Sequence, residues 1–197
     1  MKTILEPATI TWIEKKSKFI GIGIPCASIE SFRLQWDQYK VQFKDANHVT
    51  FAYRILESGM VQARFSDDGE PSGTAGKPIY NHLEGQNLIN FAIFVVRYFG
   101  GIKLGSGGLV KAYSHSARLT LESANVVPFV AYQNLTATIP YSAESQIRHI
   151  ARQFQANISH IGYGAALEVQ LEVPESEIQG IRKALKDIND LSSDNDQ

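Results

Sequence analysis

Phe91-Ala92-Ile93-Phe94-Val95-Val96-Arg97-Tyr98-Phe99-Gly100-Gly101-Ile102-Lys103-Leu104-Gly105-Ser106-Gly107-Gly108-Leu109 is the stretch on which the fold turns. It opens with the longest apolar run of the chain, six residues from Phe91 to Val96. A bilayer-spanning helix needs roughly 18–20 such residues, so the run reads as a buried strand over 88–97. Five glycines follow within nine residues, from Gly100 to Gly108. Glycine is costly inside regular elements, so this density marks tight turns or close backbone approach. After it, Leu109, Tyr113, Ala117, Thr120 and Ala124 recur at helical spacing and predict a helix over 109–123. A buried strand, a glycine-rich turn and a helix thus follow one another.

Working upstream, strands are expected at 9–13 and 19–24, the second with Ile20, Ile22 and Ile24 on one face and Pro25 as its stop. Ser28 caps a helix whose apolar face is Ile29, Phe32, Trp36 and Phe43. Strands at 48–56 and 60–65 join through Ser58-Gly59 as a hairpin. A short helix is expected over 75–83. Residues 66–108 hold nine of the fifteen glycines. Downstream, Pro128 and a change of charge sign place a domain boundary near residue 130. The remainder reads β-α-β-β-α: strand 135–139, a helix over 142–155 capped by Ser142 and Ser145, strands 158–163 and 167–173, and a last helix opened by Pro174. Its inward face is Ile178, Ile181, Leu185 and Ile188. This order fits a ferredoxin-like domain over 131–191, with a frayed tail at 192–197.

The 197 residues are 44% hydrophobic and 20% charged, which excludes disordered, collagen-like and coiled-coil chains. The N-terminus lacks the apolar core of an export signal, and a cytoplasmic protein with no membrane association is expected. The single cysteine, Cys26, forms neither an internal disulfide nor a Cys-based zinc site. Residues 1–130 carry 14 Lys+Arg against 11 Asp+Glu, whereas residues 131–197 carry 5 against 9. A polyanionic partner should therefore meet the first domain.

A glycine-rich turn opening a helix exposes backbone N–H groups beside the positive end of the helix dipole. Gly105, Gly107 and Gly108 ahead of Leu109 suit that role. Lys77, Arg97, Lys103 and Lys111 are the cations expected to converge there on a phosphate, and Tyr98, Phe99 and Tyr113 offer stacking faces. The alternative is that the glycines serve close helix–sheet packing and the cations are solvated. Asp67, Asp68 and Glu70, with His48, could hold a metal or supply a base; the turn-and-cap reading is favoured, because Asp and Gly build turns and no second histidine stands at ligand spacing to His48. His82, His115, His149 and His160 read as surface or half-buried residues. Ser114 and Ser116 flank His115, but adjacent helical residues do not face one another, so no nucleophile–base pair follows.

Two strings, Phe65–Ile79 and Arg97–Tyr113, with Ala46-Asn47-His48 and Ala52-Tyr53 upstream, resemble the IMPACT family and within it the bacterial YigZ-like members. The resemblance implies an α+β protein of two domains. The first is a ribosomal protein S5 domain 2-like β/α sandwich, as in domain IV of elongation factor G. The second is ferredoxin-like, as in domain V of that factor. It further implies a regulatory function: eukaryotic members bind the activator of a kinase that phosphorylates a translation initiation factor. For a bacterial member the expectation is a non-catalytic protein, without cofactor or metal, that contacts RNA, the ribosome or a translation-related protein partner through the glycine-rich basic face. The rival is an enzyme. In one form the glycine-rich turn holds nucleotide phosphates, as in small-molecule kinases of S5-like fold; in the other, His48, Asp67, Asp68 and Glu70 support metal-assisted hydrolysis.

Overall fold

The computed structural model describes residues 1–193. The chain divides into two compact units, residues 1–129 and residues from 130 onward, and each has its own apolar core.

The first unit runs β1 (Lys2–Ile4), β2 (Ala8–Glu14), β3 (Ser17–Pro25), α1 (Ile29–Gln42), β4 (His48–Glu57), β5 (Met60–Ser66), α2 (Gly76–Gly85), β6 (Phe91–Tyr98), α3 (Gly105–Ser123) and β7 (Val126–Pro128). Five strands form an antiparallel sheet in the order β2-β3-β6-β4-β5. The apolar run seen in the sequence is its central strand, β6. Period-two alternation splits it between two cores. Phe91, Ile93 and Val95 pack under α2 and α3 with Phe19, Ile79, Leu83 and Tyr113. Ala92, Phe94 and Val96 face Phe32, Phe51 and Tyr53 on the α1 side. A strand buried on both faces has no polar alternation to show, which is why it reads as a continuous run.

Local chemistry sets the helix starts. Ser28 caps α1 through a reciprocal pair: its hydroxyl accepts the Ser31 N–H and the Ser31 hydroxyl accepts the Ser28 N–H. α3 sits close on the sheet because β3 carries Gly21 and Gly23 beneath it; a Cβ on Gly21 would lie 2.1 Å from the Thr120 hydroxyl. The strands β1 and β7 pair with each other, joining the two ends of the unit. Neither was expected from the sequence, since three residues carry no periodicity.

The second unit runs β8 (Tyr132–Ile139), α4 (Glu144–Gln153), β9 (Asn157–Tyr163), β10 (Leu167–Pro174) and α5 (Ile178–Ser193). Its antiparallel sheet has the order β8-β10-β9, the ferredoxin-like arrangement with three strands. Ile178, Ile181, Leu185 and Ile188 are buried, as their spacing requires. Two starts differ from expectation. A short 3-10 turn at Tyr141–Ala143 leads into α4, and no side chain caps that helix, so Ser142 and Ser145 form no box. Pro174 closes β10 and stands at the N-cap of a second 3-10 turn, Glu175–Glu177, through which the chain enters α5. Of the expected tail at 192–197, Ser192 and Ser193 close α5, and the rest lies outside the described residues.

Candidate functional site

Arg97 follows Phe91, Ile93 and Val95 on the inward face of β6, so the strand period carries a charge into the α3 side of the sheet. It is 6% exposed. The register places it opposite Phe19 on β3 and His48 on β4. An ion this buried needs a counter-charge. Glu70 supplies it: Arg97 Nη1 donates to Glu70 Oε1 at 2.6 Å. Tyr113 Oη, from α3, donates to the same oxygen at 2.6 Å. Burial and the Glu70 carboxylate raise the Tyr113 pKa far above the usual phenol range, so this hydroxyl stays a donor. The Arg97 Nε is buried with no hydrogen-bond partner.

The acidic string delivers Glu70 by a turn in which Asp68 and Gly69 both have positive φ, +44° and +85°. Its other two carboxylates are used in holding that turn and its neighbours. Asp67 accepts the N–H groups of Gly73, Ala75 and Gly76 and so caps α2 from a distance. Asp68 accepts the Val49 N–H at 2.7 Å and pairs with Lys40. The Asp68 carbonyl accepts a hydrogen bond at 2.8 Å from His48 Nδ1, which must carry the proton because a carbonyl only accepts. His48 Nε2 then faces Glu70 Oε1 at 3.8 Å. Among the described residues no group of three or more His, Cys, Asp or Glu is arranged to hold a metal ion.

Above this network lies a cleft of about 400 Å³, lined by His48, Glu70, Arg97, Phe99, Lys103, Gly105 and Ser106 among others. One wall is the start of α3. The sequence suggested a glycine turn before a helix at Leu109; instead the helix begins at Gly105 and the glycines are its first turn. Low helix propensity hid this, since three glycines in four residues argue against a helix. Gly105 enters with φ +72°, a conformation that favours glycine. The first N–H groups of a helix have no intrahelical partner. The three helices of this unit treat theirs differently. α1 uses Ser28 and α2 uses Asp67, whereas α3 has no side-chain cap and no acidic residue in its first turn. Gly107 is exposed, and a Cβ there would meet nothing within 4 Å. Neither packing nor backbone angle within the chain requires glycine at that position.

The four expected cations do not share one pocket. Lys103 lines the cleft just described, beside Gly105 and Ser106. Lys111 lines a second depression, of about 620 Å³, on the other flank of the same helical turn, with Gly107, Gly108, Trp12 and Lys15. Arg97 sits in the floor of the first cleft, paired with Glu70. Lys77 lies apart, in a hollow between α2 and α3 with Asn81, His82 and Ser114. Lys103 and Lys111 make no ion pair among the described residues. Of the expected stacking faces only Phe99 is open, at 45% exposure. Tyr113 is fully buried, and Tyr98 is half-buried beneath Lys18 and bonded to Asp45.

Two features escaped sequence reasoning. The Arg97–Glu70–Tyr113 network joins three elements, but its signal was present: an arginine on the apolar period of a buried strand demands a carboxylate. The other is a hydrogen bond of 2.8 Å between His82 Nε2 and the Ser114 hydroxyl, which links α2 to α3 and has no local signature. Burial first, and Arg118 second, lower the His82 pKa from its ordinary value.

An S5-like β/α sandwich with an uncapped glycine-opened helix, followed by a ferredoxin-like unit, defines a two-domain α+β protein of one recognisable class. Residues 15–121 match the Impact N-terminal domain, and residues 138–188 match a domain of unknown function (DUF1949). The chain is 32% identical over 193 residues to the IMPACT family member YvyE of Bacillus subtilis, covering 98% of this chain and 88% of that one. It is 30% identical over 189 residues to YigZ of Escherichia coli, covering 94% and 93%. An IMPACT family member of Haemophilus influenzae is 32% identical over 172 residues, covering 87% and 84%. A crystal structure of a hypothetical protein superposes with a TM-score of 0.67 at 29% identity, covering 94% of this chain and 91% of that one. The chain belongs to the IMPACT family. No helix among the described residues is long and apolar enough to cross a membrane.

Proposed function

We propose that this protein is a non-catalytic RNA-binding protein of translation-related regulation, and that the first turn of α3 is where it docks a backbone phosphate. The observation that carries the reading is the uncapped start of α3, whose exposed Gly105 and Ser106 line one cleft with Lys103 and Arg97. Free amides and the helix dipole favour an anion there. Lys103 on one flank and Lys111 on the other add charge without base selectivity, which suits a backbone phosphate. Glu70 pairs with Arg97 and holds the guanidinium in the cleft floor, which leaves Lys103 and Lys111 to supply the unpaired positive charge.

The test is fluorescence anisotropy of a labelled oligouridylate across a salt series, with wild type and Lys103→Glu/Lys111→Glu. Both lysines are exposed, so the variant should fold. Wild-type affinity should fall with salt, and the variant should bind more weakly with a slope shallower by about 1.4, from roughly 0.7 per lost phosphate contact on a single strand. Equal affinity and equal slope in the two proteins would refute the reading.

A further inference from the structure

Lys77 stands outside the α3 cleft, and its surroundings give it a different role. Its ammonium lies over two rings at once, 4.6 Å from the Tyr80 centroid and 5.7 Å from that of Phe65. The two rings are 5.6 Å apart. Phe65 is 41% exposed, on the edge strand β5, and it points to the α2 side, opposite Ala52 of the core. Arg54 reaches the same side, where Nη1 donates to the Leu83 carbonyl and Nε is buried without a partner. A large ring left open on a sheet edge, with cations around it, has the composition of a base-stacking platform.

Lys77 ties the platform to the hollow between α2 and α3, and that hollow adjoins the cleft. Lys77 and Gly73 line the hollow between α2 and α3, while Pro71 lines the α3 cleft. Only the segment Pro71–Gly73 separates them, at most about 7 Å of chain. We infer that the ligand is a single-stranded nucleic acid several nucleotides long, with a phosphate at the start of α3 and an unpaired base stacked on the open face of Phe65, beside Lys77. This rests on the proposed phosphate site and extends it. A duplex keeps its bases stacked on one another and cannot offer a free face to Phe65.

The experiment compares three probes: an oligouridylate of about eight nucleotides, the short ligand pUp, and an RNA duplex of equal length. Phe65→Ala should weaken the oligouridylate about tenfold and leave pUp unchanged. Phe65→Trp should keep affinity and show fluorescence quenching on binding, which a merely structural residue would not report. The duplex should bind wild type and Phe65→Ala alike. Undiminished oligouridylate binding by Phe65→Ala, with no quenching of Phe65→Trp, overturns the platform even if Lys103→Glu abolishes pUp binding. Oligouridylate binding that depends on Phe65 but not on Lys103 leaves the platform standing and overturns the α3 site.

Discussion

Gly107→Ala should make the protein more stable and a poorer binder at the same time. The position lies in the first turn of α3, outside the positive-φ residues, and an added Cβ would meet nothing within 4 Å. Alanine in a helix is favoured over glycine by ~0.5–1 kcal/mol, largely through the entropy of the unfolded chain. For a protein of this size that corresponds to a rise in Tm of roughly 1–4 °C. The methyl would stand beside the free amides, where a phosphate must approach, so RNA affinity should fall. Urea unfolding followed by circular dichroism gives the first quantity and oligonucleotide anisotropy the second. Gly100→Ala is the contrast: its Cβ would sit 2.0 Å from the Lys16 carbonyl, and overpacking of this kind costs about 1–3 kcal/mol. A Gly107→Ala protein that is less stable than wild type refutes the placement of the helix start. One that is more stable yet binds RNA unchanged refutes the use of these amides.

Tyr113→Phe removes one of two donors to Glu70 while the ring keeps its edge contact with Phe19. A hydrogen bond to a charged acceptor is worth about 1.5–3 kcal/mol, and the urea midpoint should fall accordingly; an unchanged midpoint would remove Tyr113 from the network. His82 titrates below its ordinary value in the folded protein because burial disfavours its charge, so its contribution is complete above about pH 6.5 and is lost as pH falls through the lower folded value. His82→Gln should therefore flatten the acid side of the stability–pH profile in that window, and a profile superimposable on wild type would contradict this.

The sandwich was legible because β6 and α3 carry strong signals. Six apolar residues in a row are too few to cross a bilayer and have the length of a strand buried on both faces. The start of α3 was not legible, since Gly105, Gly107 and Gly108 imitate a loop, and their low helix propensity is overridden by the rest of a long amphipathic helix packed on the sheet. β1 and β7 are invisible locally, being three residues each and pairing across the whole unit. In the acidic string, Asp67 and Asp68 act through turn chemistry that sequence suggests, whereas the role of Glu70 depends on Arg97, twenty-seven residues away. The sequence groups Lys77 with the α3 cations because it too stands at the start of a helix. In space it belongs with Phe65 and Tyr80, a grouping set by the β5–α2 packing.

The most direct measurement is an amide proton–nitrogen correlation spectrum of the whole chain, titrated with oligouridylate. Glycine amides are well separated in such spectra, and Gly105, Ser106 and Gly107 should shift first and furthest, with Lys103 close behind. Shifts confined to other surfaces, with those amides unmoved at saturating RNA, would contradict it.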